Sequence, residues 1–414
     1  MGSHTTRTYT VTWFDKIGDI DERAWNALAE PLPTPILEWE WLRQMEISQS
    51  ICPATGWTPA HLTIWSGTTL VAAAPLYVKG HSAGEFVYDY AWADVSRQLG
   101  MRYYPKLVGM SPATPSVGYR FLLAPDEDED ALHELMLAEI ERFCERNRLS
   151  GCSFNFVDPE WQAGLVRRGY TSWTHQSYEW HNRGFGTFDD YLGVFNKNQR
   201  RNIKRERASM EEQGIILKPI RGEEIPKSYL PVMYQFYDRT NAQFGPWAAR
   251  FLTKEFFHGL ADRFRHRLLF VAAYRDRHPD RPIGMSFLLA KGDQLIGRYW
   301  GTSGSTENLY FNTCYYRPIE WAIENGVRTF DPGAGSPLKI RRGFEAVHNY
   351  SLHHFLDRRM QKVMDAYIGE INEMEQEQID AMNARLPFAK GRSLLDSTSE
   401  GEMPPAAEPS GEEQ

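Results

Sequence analysis

No apolar run approaches the roughly 18 residues that a bilayer span requires. The start, Met1-Gly2-Ser3-His4-Thr5-Thr6, lacks the apolar stretch of a secretory leader. Cysteine is scarce, with four in 414 residues at Cys52, Cys144, Cys152 and Cys314. They form no Cys-x-x-Cys pair and no Cys/His spacing of a metal site. A disulfide scaffold and a zinc module are therefore not expected, no metal site is expected, and the expected compartment is a reducing cytoplasm. Also missing are Gly-x-Ser-x-Gly, His-Glu-x-x-His, the Walker loop and Gly-x-Gly-x-x-Gly. The best-marked hydrolase, metalloprotease and nucleotide-binding chemistries fall away with them.

What is present is apolar mass and aromatic rings. Hydrophobic residues make up 42% of the chain, with 13 Trp, 20 Tyr and 22 Phe, enough to fill the cores of two or three ordinary domains. The net charge of −8 misleads, because six carboxylates and no base lie beyond Ser393, leaving −2 for residues 1–392. Residues 393–414, rich in Pro, Ser and Glu, read as a disordered acidic tail. An anionic partner would have to meet a local basic patch.

Two segments about 173 residues apart echo each other. Phe156-Val157-Asp158-Pro159 leads to Arg167-Arg168-Gly169-Tyr170, and Thr329-Phe330-Asp331-Pro332 leads to Arg341-Arg342-Gly343-Phe344. An amphipathic helix precedes each, at Ile140-Glu141 and Ile319-Glu320. The echo predicts a duplicated α/β unit with mixed sheets: one domain over 7–190, a basic helical connector over 191–215 and a second domain over 216–385. In the first, Tyr9 to Phe14, His61 to Trp65 and the near-continuous apolar run Leu70 to Lys79 read as strands, the last a buried central one. In the second, strands at Leu268 to Tyr274, Pro282 to Ala290 and Gln294 to Trp300 precede a Gly/Ser loop, a helix over Leu309 to Glu324 and a strand over Val327 to Asp331. That order places a ligand at a strand's carboxyl end, against a helix N-terminus.

Lys197, Arg200, Arg201, Lys204 and Arg207 share one side of a predicted helix. Such a stripe suits phosphate, on a nucleic acid or a headgroup, and equally suits a solvated inter-domain helix. Gly301, Ser303 and Gly304 could offer N–H and hydroxyl groups to a phosphate or an oxyanion, or form a tight connection with no ligand. Polar groups lie among aromatics at Lys79, His81, Glu85, Asp89, Asp94, Lys106, Arg298, Asp331, Lys339 and Arg341. They suit a transferase that positions two substrates and moves one proton better than a covalent hydrolase.

Several stretches resemble, in order, a FemAB-like family of N-acyltransferases in the GNAT superfamily, labelled for peptidoglycan biosynthesis and recognition. They are Pro75 to Glu85, Tyr103 to Leu107, Gly297-Arg298-Tyr299-Trp300-Gly301, Cys314-Tyr315-Tyr316 and Lys339 to Phe344. The resemblance spans about residues 13–370 and implies two fused GNAT-like domains. It implies transfer of an aminoacyl or acyl group to an amine on a small molecule, peptide or cell-wall precursor, with no tightly bound cofactor. The related Fem ligases imply an aminoacyl-tRNA donor, and ordinary GNAT enzymes imply acyl-CoA. The GNAT pyrophosphate loop is missing, Arg97-Gln98-Leu99-Gly100-Met101-Arg102 coming nearest, and the basic helix stands where Fem ligases carry a similar segment. Both points favour tRNA.

On this reading Asp89 or Glu85 orients or deprotonates the amine, donors near Gly301 hold the oxyanion, and Lys339 and Arg341 neutralise donor phosphate or substrate carboxylate. The donor would be held by Arg298, Gly301, Ser303 and Gly304 with Lys197, Arg200, Arg201 and Lys204. The acceptor would be held by Lys79, His81, Ser82, Tyr103, Lys106 and Trp300. Tyr310-Phe311-Asn312 replaces a His-Phe-Glu of the family, and Leu338 replaces a His. A module that only recognises a cell-wall precursor is therefore the alternative to an enzyme. The second echo alone carries Gly333-Ala334-Gly335-Ser336 and Lys339, which marks it as the more ligand-facing copy.

Overall fold

The computed structural model describes residues 8–245, 248–335 and 337–389; Trp247, Ser336 and the acidic tail fall outside them. The first half contributes β1 (Tyr9–Phe14), β2 (Trp57–Pro59), β3 (His61–Ser66), β4 (Thr69–Ala74), β5 (Leu76–Lys79), β6 (Lys106–Gly109), β7 (Leu122–Leu123), β8 (Gly151–Asn155) and β9 (Thr171–His181). The second contributes β10 (Ile215–Arg221), β11 (Leu268–Arg275), β12 (His278–Lys291), β13 (Gln294–Thr302), β14 (Thr329–Asp331) and β15 (Glu345–Phe355).

The run Leu70 to Lys79, expected as one strand, is two. Pro75 offers no N–H for a ladder, and the chain changes sheets there. β4 joins a four-stranded sheet ordered β1-β3-β4-β7, whereas β5 enters an eleven-stranded sheet ordered β10-β11-β12-β13-β14-β9-β15-β8-β6-β5-β2.

That order shows how the halves are joined. β9 closes the first half, yet it lies between β14 and β15 of the second. β15 closes the second half, yet it lies between β9 and β8 of the first. Each half thus lends its last strand to the other, and the two are one continuous sheet. The sequence echo explains the exchange. In both copies a strand, a short helix and a glycine turn lead into the lent strand. Gly169 (φ +89°) and Gly343 (φ +74°) take the left-handed backbone that this turn needs.

Helices cover both faces, each stopped or started by local chemistry. Asp128 and Asp158 cap Glu129–Arg146 and Pro159–Arg167 through their carboxylates, and Asn196 caps the basic helix Lys197–Glu212. The predicted helix over Leu309 to Glu324 begins with one turn at Leu309–Phe311 and widens to a π-helix at Asn312–Tyr316. It is regular only over Arg317–Glu324. Such wide turns are rare and recur at functional sites. This one faces a cavity.

Candidate functional site: a cavity where two parallel strands part

β13 and β14 run parallel from Gln294↔Thr329 to Ile296↔Asp331, then separate. The residues after β14 enforce the parting. Pro332 has no N–H to donate, and Gly333 turns away at φ +81°. A Cβ on Gly333 would fall 2.8 Å from the Gly297 carbonyl oxygen, so the crossing itself requires glycine. On its other edge β13 is bulged. Leu288 pairs with Gly297 and Phe287 with Tyr299, which leaves Arg298 out of register. Its guanidinium is aimed across the gap, donating to Ala113 O (2.8 Å) and Tyr299 OH (3.1 Å), while Nε is buried without a partner among the described residues.

The opening is a cavity of about 320 Å³. Its walls are aromatic: Tyr237 from helix Tyr229–Ala242, Phe251, Tyr299, Trp300, Tyr310, and Phe86 reaching in from the first half. Trp300 and Tyr310 meet at 4.9 Å between ring centroids. Burial pushes the Cys314 thiol, also in the lining, up to about 12, so no thiolate nucleophile is available. Lys339 braces the wall. It is buried and donates to Gly333 O (2.5 Å) and Ala334 O (3.0 Å), and its burial lowers the ammonium to about 8 although Asp331 opposes the shift. Asp331 accepts from Ser116 Oγ and the Gly333 N–H, both at 2.7 Å, and burial raises its carboxyl above the usual range.

Of the residues singled out in the sequence, Arg298 and Trp300 line this cavity and Lys339 holds its rim. Glu85 and Asp89 do not line it; both are fully buried. Lys106 Nζ lies 2.8 Å from Glu85 and 2.5 Å from Asp89, Tyr103 OH donates to Asp89 at 2.7 Å, and Asn155 approaches Glu85. Burial raises the Glu85 carboxyl despite Lys106, whereas Lys106 and two hydroxyl donors hold Asp89 down against its burial. Lys79 sits over the Trp57 ring at 3.5 Å and donates to Ala83 O, its ammonium lowered to about 7 by burial. This is a buried ion cluster with none of its four members exposed to meet an amine. Ser82 is tied to Tyr104 OH at 2.7 Å, and His81 is exposed with its ring turned to the Ala83 N–H.

The loop after β13 differs from the expected oxyanion site. Gly301 is paired with Met285 and pressed against Phe236, where a Cβ would come within 2.2 Å of the Phe236 carbonyl oxygen. Ser303 donates through N–H and hydroxyl to Ile283 O, and the Gly304 N–H is spent on Thr302. These donors fold the turn.

On the basic helix Lys197, Arg201, Lys204 and Arg205 are exposed, Arg200 is half-buried, and Arg207 is held by Glu320 at 2.8 Å and by the Phe188 ring. In the second Arg-Arg pair the two residues part company. Arg341 is exposed; Arg342 is buried, 3.1 Å from Glu206 and stacked on Phe311. Arg342→Ala is therefore expected to cost about 2 kcal/mol in denaturant unfolding, since Glu206 loses its charged partner. Arg341→Ala should stay within about 0.5 kcal/mol of the parent. Equal effects would show that the Glu206 pair contributes nothing.

Tyr237, Tyr299, Tyr310 and Cys314 escaped sequence reasoning as cavity residues. Tyr237 comes from a helix far ahead of β13 in the chain, and nothing local marks it.

The FemAB-like family, described for peptidoglycan biosynthesis and recognition, matches residues 16–390. No curated protein matches the chain in sequence. Among solved structures, FemX superposes with a TM-score of 0.53 at 11% identity, over 83% of this chain and 98% of its own. A domain assigned to lysylphosphatidylglycerol synthetase in Agrobacterium fabrum, its C-terminal one, gives 0.51 at 8% identity, over 85% and 97%. These likenesses carry the fold alone. With the family matched over nine-tenths of its length, the chain belongs to the FemAB-like family.

Proposed function

We propose that the protein joins an aminoacyl or acyl group to a primary amine by direct attack, the carrier entering where β13 and β14 part. That parting is the observation on which the reading rests. From Arg298 to Trp300 the strand pairs with no other strand on its β14 side among the described residues, and it borders an aromatic-walled cavity. An extended acyl carrier can pair along such an edge as an added strand would. Arg298 offers a guanidinium to an anionic group of the carrier or to the developing oxyanion. With the Cys314 thiol held protonated, the chemistry needs no covalent enzyme intermediate.

The carrier we favour is tRNA, and the support is the exposed row Lys197, Arg201, Lys204 and Arg205. Charged tRNA would set the reaction in the cytoplasm, and the family's description points to an amine on a cell-wall precursor as acceptor. The test uses purified protein with tRNA carrying labelled amino acids, acetyl-CoA as the competing donor, and candidate amines. Label should pass to the amine, RNase should abolish transfer, and Lys197→Glu/Arg201→Glu/Lys204→Glu should weaken it about ten-fold in a salt-dependent way. Transfer from acetyl-CoA that ignores RNase would make CoA the carrier. Transfer from neither donor would sink the reading.

A further inference from the structure

A second cavity, of about 400 Å³, opens on the seam where the halves exchange strands. Its walls continue those of the first residue by residue: Pro115 gives way to Ser116, Gly297 to Ile296, and Pro332 to Asp331. At this junction stand Asp331, with Ser116 bonded to it, and Arg298, bonded to Ala113 O.

The seam cavity has an acidic bias. Asp158, Glu179 and Asp331 line it against a single guanidinium, Arg120, which lies 3.7 Å from Glu129. Asp158 is occupied in capping its helix, and Asp331 accepts from Ser116 and Gly333. Glu179 differs. Strand alternation and the pairs Glu179↔Glu345 and Thr329↔His181 put it on the same sheet face as Asp331. Among the described residues the one basic group within ion-pair reach is His181, at 3.9 Å, and burial holds that imidazole below its usual range, hence uncharged at neutral pH.

We propose that the seam cavity receives the primary ammonium of the acceptor and that Glu179, supplied by the first half, takes its proton. This rests on the transfer reading above. The ammonium gives one proton to the Glu179 carboxylate. The freed nitrogen lone pair forms a C–N bond to the acyl carbon where the two cavities meet, beside Asp331 and Ser116. As the tetrahedral intermediate collapses, the bond to the carrier's oxygen or sulfur breaks, and that atom leaves with the second nitrogen proton. Glu179 then returns its proton to solvent.

Burial, with Asp331 and Glu345 close by, pushes the Glu179 carboxyl up to about 7, where a base exchanges protons readily at neutral pH. Besides the groups already named, its titratable surroundings are Glu345, paired with Arg183, and His348. Glu85 and Asp89 are excluded from this role by geometry, since Lys106 stands between them and they line neither cavity.

The test reads the carboxyl itself. Protein labelled at the glutamate δ carbon is titrated with 1,5-diaminopentane as probe, and the Glu179 line is identified by its loss in Glu179→Gln. That line should titrate near neutrality, move saturably with the diamine, and shift its midpoint to lower pH when the diamine is bound. Glu179→Gln should bind the diamine about ten-fold more weakly. It should also transfer about 100-fold more slowly, with donor binding unchanged and the pH dependence near neutrality gone. A Glu179 line indifferent to the diamine, or a Glu179→Gln enzyme transferring at the parent rate, overturns the proposal. Saturable diamine binding without transfer from either donor would instead overturn the transfer reading and leave this site standing.

Discussion

Lys106→Met is expected to destabilise the protein by about 3–5 kcal/mol, the range found when one member of a buried ion cluster is removed. Lys106 stands between Glu85 and Asp89 with all three buried, so its loss leaves two carboxylates facing each other away from water. The pH dependence should change with it. In the parent, Asp89 is held below its ordinary value and stabilises the fold above that range, while Glu85 is raised and acts oppositely. Without the lysine, burial is opposed only by the hydroxyl donors at Asp89 and by Lys79 at Glu85, and both carboxyls rise. The folded variant then binds more protons than the unfolded chain, and stability falls as pH rises above about 4. Urea unfolding at pH 5.5 and 8 checks this: Lys106→Met should be weaker at pH 8. Adding Glu85→Gln and Asp89→Asn should recover most of the loss, because no charge is then stranded. A single variant as stable as its parent would mean that water reaches the cluster.

Gly301→Ala is the second large effect. Its new methyl would lie 2.2 Å from the oxygen and 2.4 Å from the carbon of the Phe236 carbonyl, and a backbone cannot swing aside as a side-chain tip can. Helix Tyr229–Ala242 must lift from β13, at a cost of about 1–3 kcal/mol. The displacement should reach the aromatic cavity. Tyr237, on that helix, accepts from the Phe251 and Leu252 N–H groups and donates to Ala249 O, so it fixes one whole wall. Transfer should fall together with stability. Gly304→Ala is the control three residues on: a Cβ there meets nothing within 4 Å, and its cost should stay within about 0.5 kcal/mol. Similar values for the two glycines would show that the helix has freedom to move.

The two glycines illustrate what could be read in advance. A Gly/Ser run between a strand and a helix is visible, and the strand it follows lines the aromatic cavity through Trp300. The reason for each glycine was not visible, because Gly301 answers to a helix backbone some 65 residues earlier in the chain. The same holds for charge. Lys79, Glu85, Asp89 and Lys106 stand out among aromatics as a catalytic group would, yet they close on one another. Whether a carboxylate works on a substrate or neutralises a lysine depends on which third element covers it.

By itself the sequence determined the α/β elements, the echo of strand, short helix and glycine turn, and the family. Those features reside in local propensity, in alternation of apolar residues and in backbone positions that only glycine or proline fills. Tertiary structure decided where the echo leads. Its two copies exchange their final strands, and the exchange carries Glu179 from the first half to the side of Asp331 in the second. No local pattern encodes that meeting. It follows from sheet pairing between strands about 150 residues apart, a contact whose favourable energy exists only once both halves are folded.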